Sequence, residues 1–388
     1  MSRLHVFIVG VSDYSNLPGE TDPMTPNALG LRKLTSPALS ALRVYDWIID
    51  HKNDLPLSLG HTSLLLSPSP QEQAIEPSFA ARANDYQPCD LANFLRAADA
   101  WRAAALSDPK DMTLFYFAGH GLRWSTNDAI LMLRDVGQGA GGVLLNAIDL
   151  NNLYAGMAPS ESQPDVARTQ VYFVDACRVE PAEITRIQRP TPSEVFRVDL
   201  RGRVDDRQTP IFFATVGGAT AIGRKAKSSI FSELLLDCLN GDAGQRSVAP
   251  DGTVSWTVTT QSLARALNEL FADLATAGVD QACTVEGAAS QDIPLCRLNG
   301  PPKVPVLIAV DPVAAAPDIS FRVMNSDTLA VVFGPQVLNP HPHFDHWPAG
   351  MYHVLVEAPP GHALYKSPAA WSYMVVPPRW TLTPKVLK

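Results

Sequence analysis

Two stretches constrain the fold of this chain more than any others: Met112–Leu122 (MTLFYFAGHGL) and Thr169–Arg178 (TQVYFVDACR). Each opens as a strand-length run of β-branched and aromatic residues. Each ends in a reactive side chain where the apolar run stops, His120 in one and Cys177 in the other. Runs without polar alternation fit strands buried on both faces, the situation of parallel sheets covered by helices. In an open parallel sheet neighbouring strands finish at the same edge, and ligands bind outside those carboxyl ends. The two runs therefore predict a thiol and an imidazole brought together at one rim of a sheet.

The rest of the first 298 residues can be read as scaffold for that rim. Leu4–Val11 is a buried strand, and Ser12–Leu34 reads as loop. Ser36 is placed to cap a helix that starts with Pro37 and runs to about Asp50. Thr62–Leu66 is a second strand, Ser67–Pro88 a polar loop, and Asp90–Leu106 a helix with apolar residues at helical spacing. Ala129–Leu133 is a short extended piece, and Asp149 caps a helix through Met157. Ile211–Val216 is a fifth strand before a Gly217-Gly218 turn. Ser229–Leu239 and Gln261–Ala275 read as helices, and Val285–Leu298 as irregular or a last edge strand. The alternation predicts an α/β fold, a mostly parallel sheet with helices on both faces. Pro301-Pro302 marks a boundary, after which short alternating runs predict a small all-β domain of the sandwich kind. The expected division is residues 1–298 and 303–388.

Composition narrows the function classes. Of 388 residues 46% are hydrophobic and 18% charged, and the net charge is −8. An acidic balance argues against nucleic acid or an anionic membrane as partner. No run reaches transmembrane length and none resembles a signal peptide, so a cytoplasmic location is expected. The five cysteines make neither a disulfide framework nor a CxxC zinc site, although a Cys283–Cys296 bridge stays open.

A thiolate attacks carbonyls readily, but a free cysteine is mostly protonated at neutral pH. A neighbouring histidine can take that proton and return one to the leaving amine. The N–H groups of Gly121 and Cys177 are the natural donors to a tetrahedral oxyanion. The plain alternative for Cys177 is a buried cysteine acting as a small hydrophobe. A metal at His120 and Cys177 lacks further ligands at regular spacing.

HVFIVGVSDY, LFYFAGHG, VYFVDACR, PIFFATVGGATAIG and SIFSELLLDCLNGD, in this order over residues 4–298, resemble successive landmarks of the caspase and metacaspase clan, in particular its bacterial members. The resemblance implies a caspase-like three-layer sandwich around a mostly parallel six-stranded sheet. It implies a cysteine endopeptidase with a His120/Cys177 dyad and oxyanion contacts from Gly121 and Cys177. It also places Asp175, two residues before the nucleophile, at the primary specificity pocket, where a carboxylate as in metacaspases favours Arg or Lys before the scissile bond. Asp13 could add to that pocket, while a hydrogen-bonding role in the turn is the alternative for Asp175. Two departures bear on specificity. Ser36-Pro37-Ala38 stands where metacaspases carry a second pocket aspartate, and Arg32 lies near the position at which caspases bind substrate aspartate.

Val179–Gln208 corresponds to the segment often processed in this family. It holds six arginines (Arg186, Arg189, Arg197, Arg201, Arg203, Arg207) and no lysine, as a solvated loop or as sites of self-cleavage. No cofactor is expected: calcium activates some metacaspases, but no ligand cluster supports it here. His341, His343, Asp345 and His346 are rich in ligand atoms, yet the interleaved prolines favour a loop between strands. The expected partners are a protein or peptide substrate and a regulatory protein bound by the β domain. The rival reading is a caspase-fold scaffold with little proteolytic activity.

Overall fold

The computed structural model describes residues 1–25, 28–123, 129–139, 142–177, 192–198, 204–215, 227–279, 281–287, 290–365 and 369–386. The Gly217-Gly218 turn and Arg186, Arg189, Arg201 and Arg203 lie outside the described residues. In chain order, β1 (Arg3–Val11) leads through a loop to α1 (Pro37–Asp50) and β2 (Ser58–Ser67). Then come α2 (Pro70–Ile75), α3 (Ser78–Ala81), α4 (Leu91–Ala104) and β3 (Met112–Gly119). Three short strands follow, β4 (Gly121–Arg123), β5 (Ala129–Met132) and β6 (Ala147–Asp149), then α5 (Leu150–Gly156) and β7 (Thr169–Ala176). β8 (Ile211–Phe213), α6 (Ile230–Asp237), β9 (Gly244–Val248), β10 (Val254–Thr259) and α7 (Thr260–Thr276) precede β11 (Thr284–Glu286) and β12 (Pro294–Leu298). The chain ends in β13 (Lys303–Ile308), β14 (Ser320–Asn325), β15 (Val331–Val337), β16 (His343–Pro348), β17 (Gly350–Glu357), β18 (Ala369–Val375) and β19 (Trp380–Leu382).

Contacts divide the chain into two compact units, residues 1–236 with 271–293, and 237–270 with 294–388. In the first, a six-stranded sheet has the order β11-β8-β7-β3-β1-β2. All neighbours are parallel except the edge strand β11. The register aligns Val9, Phe117 and Val174 in one row and Gly10, Ala118 and Asp175 in the next. Alternation sends these rows to opposite faces. The first row joins the core with Phe94, Ala98 and Trp101 of α4 and Leu150 and Leu153 of α5. The second meets α1, where a Cβ on Gly10 would lie 2.5 Å from that of Ala41, and Ser229, just ahead of α6. Helices thus cover both faces, as expected of a three-layer α/β sandwich around a mostly parallel six-stranded sheet.

Two local expectations fail, the first for a tertiary reason. Ser36 is the residue before α1, but its side chain makes no cap bond. Ser12 Oγ, from the end of β1, accepts from Ala38 N at 3.0 Å, and Glu72 accepts from Leu39 N at 3.0 Å. The polar stretch 67–88 is not all loop. Ser69 and Glu72 form a reciprocal capping box that starts α2. The Glu72 carboxylate is fully buried and also takes Ser12 Oγ at 2.9 Å. Burial outweighs its several donors and raises its pKa. Glu72→Ala is expected to lower stability by about 1–3 kcal/mol through orphaned buried donors, read as an earlier urea midpoint at unchanged m-value.

In the second unit, β9, β10 and β12 form an antiparallel sheet; in its β9–β10 hairpin Val254–Thr259 alternates apolar and polar residues after an Asp251-Gly252 turn. β16-β13-β19 and β15-β14-β17-β18 form two further sheets. Val304, Val306 and Ile308 from one and Phe321, Val323, Tyr352 and Val354 from the other share one core, a small β sandwich as expected. The 341–346 cluster, expected as a loop between strands, is strand from His343 on, where β16 pairs with β13 despite the interleaved prolines. His343 packs on Phe333, and Asp345 accepts from Trp347 Nε1 at 2.9 Å. Among the described residues no group of three or more metal-ligating side chains converges. Likewise, no helix among them is long and apolar enough to cross a membrane.

Candidate active site

The registered pairing of β3 and β7 ends at Gly119 opposite Ala176. His120 and Cys177 are the next residue on each strand, so both stand at the carboxyl rim of adjacent parallel strands. The contact is close in the backbone: a Cβ on Gly121 would fall 2.6 Å from Cys177 O and 2.8 Å from Ala176 Cβ. Cys177 is half-buried, and none of the five cysteines is in a disulfide.

His120 is held on three sides. Its N–H donates to Tyr14 Oη at 2.7 Å, its carbonyl accepts from Met132 N at 3.0 Å, and its Nε2 meets Arg32 O at 2.7 Å. A carbonyl only accepts, so Nε2 carries the proton and Nδ1 is the bare nitrogen of the neutral ring. Burial lowers the imidazole pKa to about 4, against the opposing pull of the Arg32 carbonyl. The ring is therefore neutral at pH 7. The bond from Met132 N to His120 O makes Gly121 opposite Leu131 a non-hydrogen-bonded pair of the antiparallel ladder. Its N–H consequently points away from β5.

The other sequence-identified residues are placed differently. Asp175 is on β7, 4% exposed, and accepts from Tyr116 Oη at 3.1 Å and from Ser229 Oγ. Burial raises its pKa to about 6, more than these two hydroxyls lower it. Asp13 is bound by Lys33 Nζ at 2.7 Å, with Arg134 Nη2 at 4.0 Å. The Arg32 guanidinium donates to Gly19 O at 2.6 Å and Asp22 O at 2.8 Å, so it is the backbone of Arg32, not its charge, that reaches His120. A cavity of about 410 Å3 is lined by Leu17, Leu29, Leu31, Met132 and Val136 among others, and so lies beside Met132, whose N–H binds the His120 carbonyl.

Sequence reasoning missed Tyr14, Tyr116 and Ser229. Tyr14 follows the end of β1 in the motif SDY, and Ser229 caps the start of α6 through Ser232 N at 3.0 Å. Both were visible as residues but not as ligands of His120 and Asp175.

The chain is similar to several known proteins. The uncharacterized protein y4kE of Sinorhizobium fredii (strain NBRC 101917 / NGR234) is 25% identical over 257 residues, covering 66% of this chain and 70% of that protein. Among solved structures, protein GSU0716 from Geobacter sulfurreducens aligns over 75% of this chain and 95% of its own, with 14% identity and a TM-score of 0.42. Caspase-1 from Spodoptera frugiperda aligns over 77% of this chain and 91% of its own, with 12% identity and a TM-score of 0.41. The caspase domain family matches residues 78–282, a span that contains both His120 and Cys177. That match takes in more than half of the 388 residues, and the chain belongs to the caspase domain family.

Proposed function

We propose that the chain is a cysteine endopeptidase that cleaves after arginine or lysine. The observation that supports this reading is that His120 and Cys177 directly follow the paired ends of β3 and β7, with the His120 ring neutral and its Nε2 fixed by Arg32 O. Nδ1 of His120 takes the thiol proton as sulfur attacks the scissile carbonyl and returns it to the amine as the C–N bond breaks; water, deprotonated by the same nitrogen, then displaces sulfur from the thioester and releases the acid. The Gly121 N–H, not used by the β4–β5 ladder, donates to the oxyanion together with Cys177 N.

Asp175 supports the basic preference. Among the described residues the groups acting on its carboxylate are two hydroxyl donors, Ser229 and Tyr116, and no Lys or Arg. A substrate guanidinium would supply the missing cation in a desolvated pocket. Cleavage of peptides with Arg, Lys or Asp before the scissile bond tests this; preference for Asp would overturn it. The pH response follows. A carboxyl whose pKa is higher folded than unfolded contributes stability fully below about pH 4 and loses it as pH rises through 6. Cleavage after arginine is expected to rise over that same interval as Asp175 ionises, while thermal stability owed to this group falls. Asp175→Asn should flatten the activity step near pH 6.

Self-cleavage within 179–208 is part of the proposal. Arg207 is 3% exposed, with its guanidinium on Asp205 and Gln170, so it is excluded as a site in this conformation. Intact mass of the wild type beside Cys177→Ala is expected to show fragments ending at another linker arginine only in the wild type. One observation favours the scaffold reading instead: His120 and Asp175 are both almost fully buried. A peptide-based thiol-reactive probe separates the two, because a scaffold leaves Cys177 unlabelled.

A further inference from the structure

At the rim opposite Cys177, where β3 and β7 begin, lies a polar cavity of about 570 Å3. Its walls include Arg102 near the end of α4, Gly156 at the end of α5, Ser160, Ser162 and Gln163 of the following turn, and Arg197. Arg197 is brought there by a docked piece of the segment between Cys177 and β8. Val195 N and Phe196 N both donate to Asn152 Oδ1, at 2.7 and 2.8 Å, and Asn152 Nδ2 donates to Phe196 O at 2.9 Å. Ser193 N donates to Ala147 O at 2.7 Å. The Phe196 ring packs against Gly156 and lies 4.5 Å beneath the Arg102 guanidinium.

Arg102 is poorly compensated. Its Nη2 donates to Gln163 Oε1, its Nε is buried with no hydrogen-bond partner, and no carboxylate lies within ion-pair distance among the described residues. Burial holds its pKa down, and the charge of Asp99 only partly restores it. Arg197 is exposed, as are the nearby Glu161 and Glu194. Ser160 Oγ and Ser162 Oγ are 3.1 Å apart. A half-buried guanidinium without an anion is costly unless something pairs with it. Two arginines and two serines line this one cavity, and guanidinium and hydroxyl donors match the oxygens of a phosphoryl group. The volume falls within the range of small-molecule sites, larger than a bare ion needs. One face of Phe196 is covered by Arg102, so there is no evident platform for a nucleobase.

We propose that this cavity binds a phosphoryl-bearing polar small molecule, of the sugar-phosphate or pyrophosphate class, between Arg102, Arg197, Ser160 and Ser162. Its occupant bridges helix α4 and the 192–198 segment and so holds that segment against the domain. Nothing in this depends on the peptidase reading.

The test is calorimetric titration of full-length Cys177→Ala protein with inorganic phosphate, pyrophosphate and a hexose phosphate. Saturable binding of one equivalent is expected, with the hexose phosphate tighter than phosphate if an ester is the ligand and pyrophosphate tightest if a free anion is. Arg102→Gln and Arg197→Gln should each weaken binding at least about tenfold, and Arg102→Lys less. Trypsin cleavage after Arg197 should slow on addition of the bound probe, and not in Arg102→Gln. Arg197 is exposed, so its variant carries the test should Arg102→Gln fail to fold. Absence of binding by all three probes at millimolar concentration, or binding that survives both substitutions, overturns the proposal.

Discussion

Cys177→Ala is expected to lower kcat/KM for an arginine-terminated reporter peptide by at least about 10^4-fold, because the covalent route disappears with the sulfur. The same substitution should leave stability within about 0.5 kcal/mol, since the side chain is only half-buried and small. His120→Ala is expected to cost about 10^2–10^4-fold in kcat, the contribution of a positioned base. Its residual activity should climb with pH as hydroxide takes over the proton transfer. The two losses should not add in the double variant, for the sulfur and the imidazole act on one step. A stopped assay with active-site titration measures these values; turnover unchanged in Cys177→Ala would remove the peptidase reading altogether.

Gly121→Ala is expected to have the next largest effect, without touching either reacting side chain. The added methyl would sit 2.6 Å from Cys177 O and 2.8 Å from Ala176 Cβ. The first is main chain and the second a Cβ fixed to it, so no rotamer change relieves the contact. β4 must move away from the end of β7 and take the adjoining His120 with it. A displacement near 1 Å costs about 10^2-fold in rate, and overpacking costs about 1–3 kcal/mol. Gly300→Ala is the control: a Cβ there meets nothing within 4 Å, and both rate and melting temperature should stay at wild-type values. Equal behaviour of the two variants would mean that the β4–β7 contact does not position His120.

Particular residues show how far local reading reaches. Met112–Gly119 and Thr169–Ala176 were legible as strands because a strand buried on both faces must be apolar throughout, and such runs are short and abrupt. The C-terminal sandwich was legible for the opposite reason: alternation on β13 and β17 marks one buried face. The Ser69–Glu72 capping box was also written in the chain, as Ser-Pro-Gln-Glu, but the prolines around it favoured a loop reading. The cap of α1 was not legible. Ser36 has the right side chain in the right place, yet Ser12 and Glu72 do the work from 24 residues before it and 36 after.

Arg32 marks the limit most clearly. Its guanidinium suggested substrate binding, whereas its contribution to the site is a carbonyl that any residue would carry. Side-chain chemistry is visible in a sequence; which backbone group meets which ring is not. The raised pKa of Asp175 belongs to the same category: burial between β7 and the helices over it raises it, and the Ser229 and Tyr116 hydroxyls offset that only in part.

What the sequence by itself determined is the central strands of the parallel sheet, the layer order that alternation imposes, and the arrival of an imidazole and a thiol at strand ends. These follow from period and apolarity, which act between neighbours along the chain. Only the tertiary structure decided that Gly119 stands opposite Ala176, that a distant carbonyl selects the tautomer of His120, and that Asp175 titrates near 6. Register, tautomer and pKa depend on groups brought close by folding from far along the chain, and a local pattern carries no record of them.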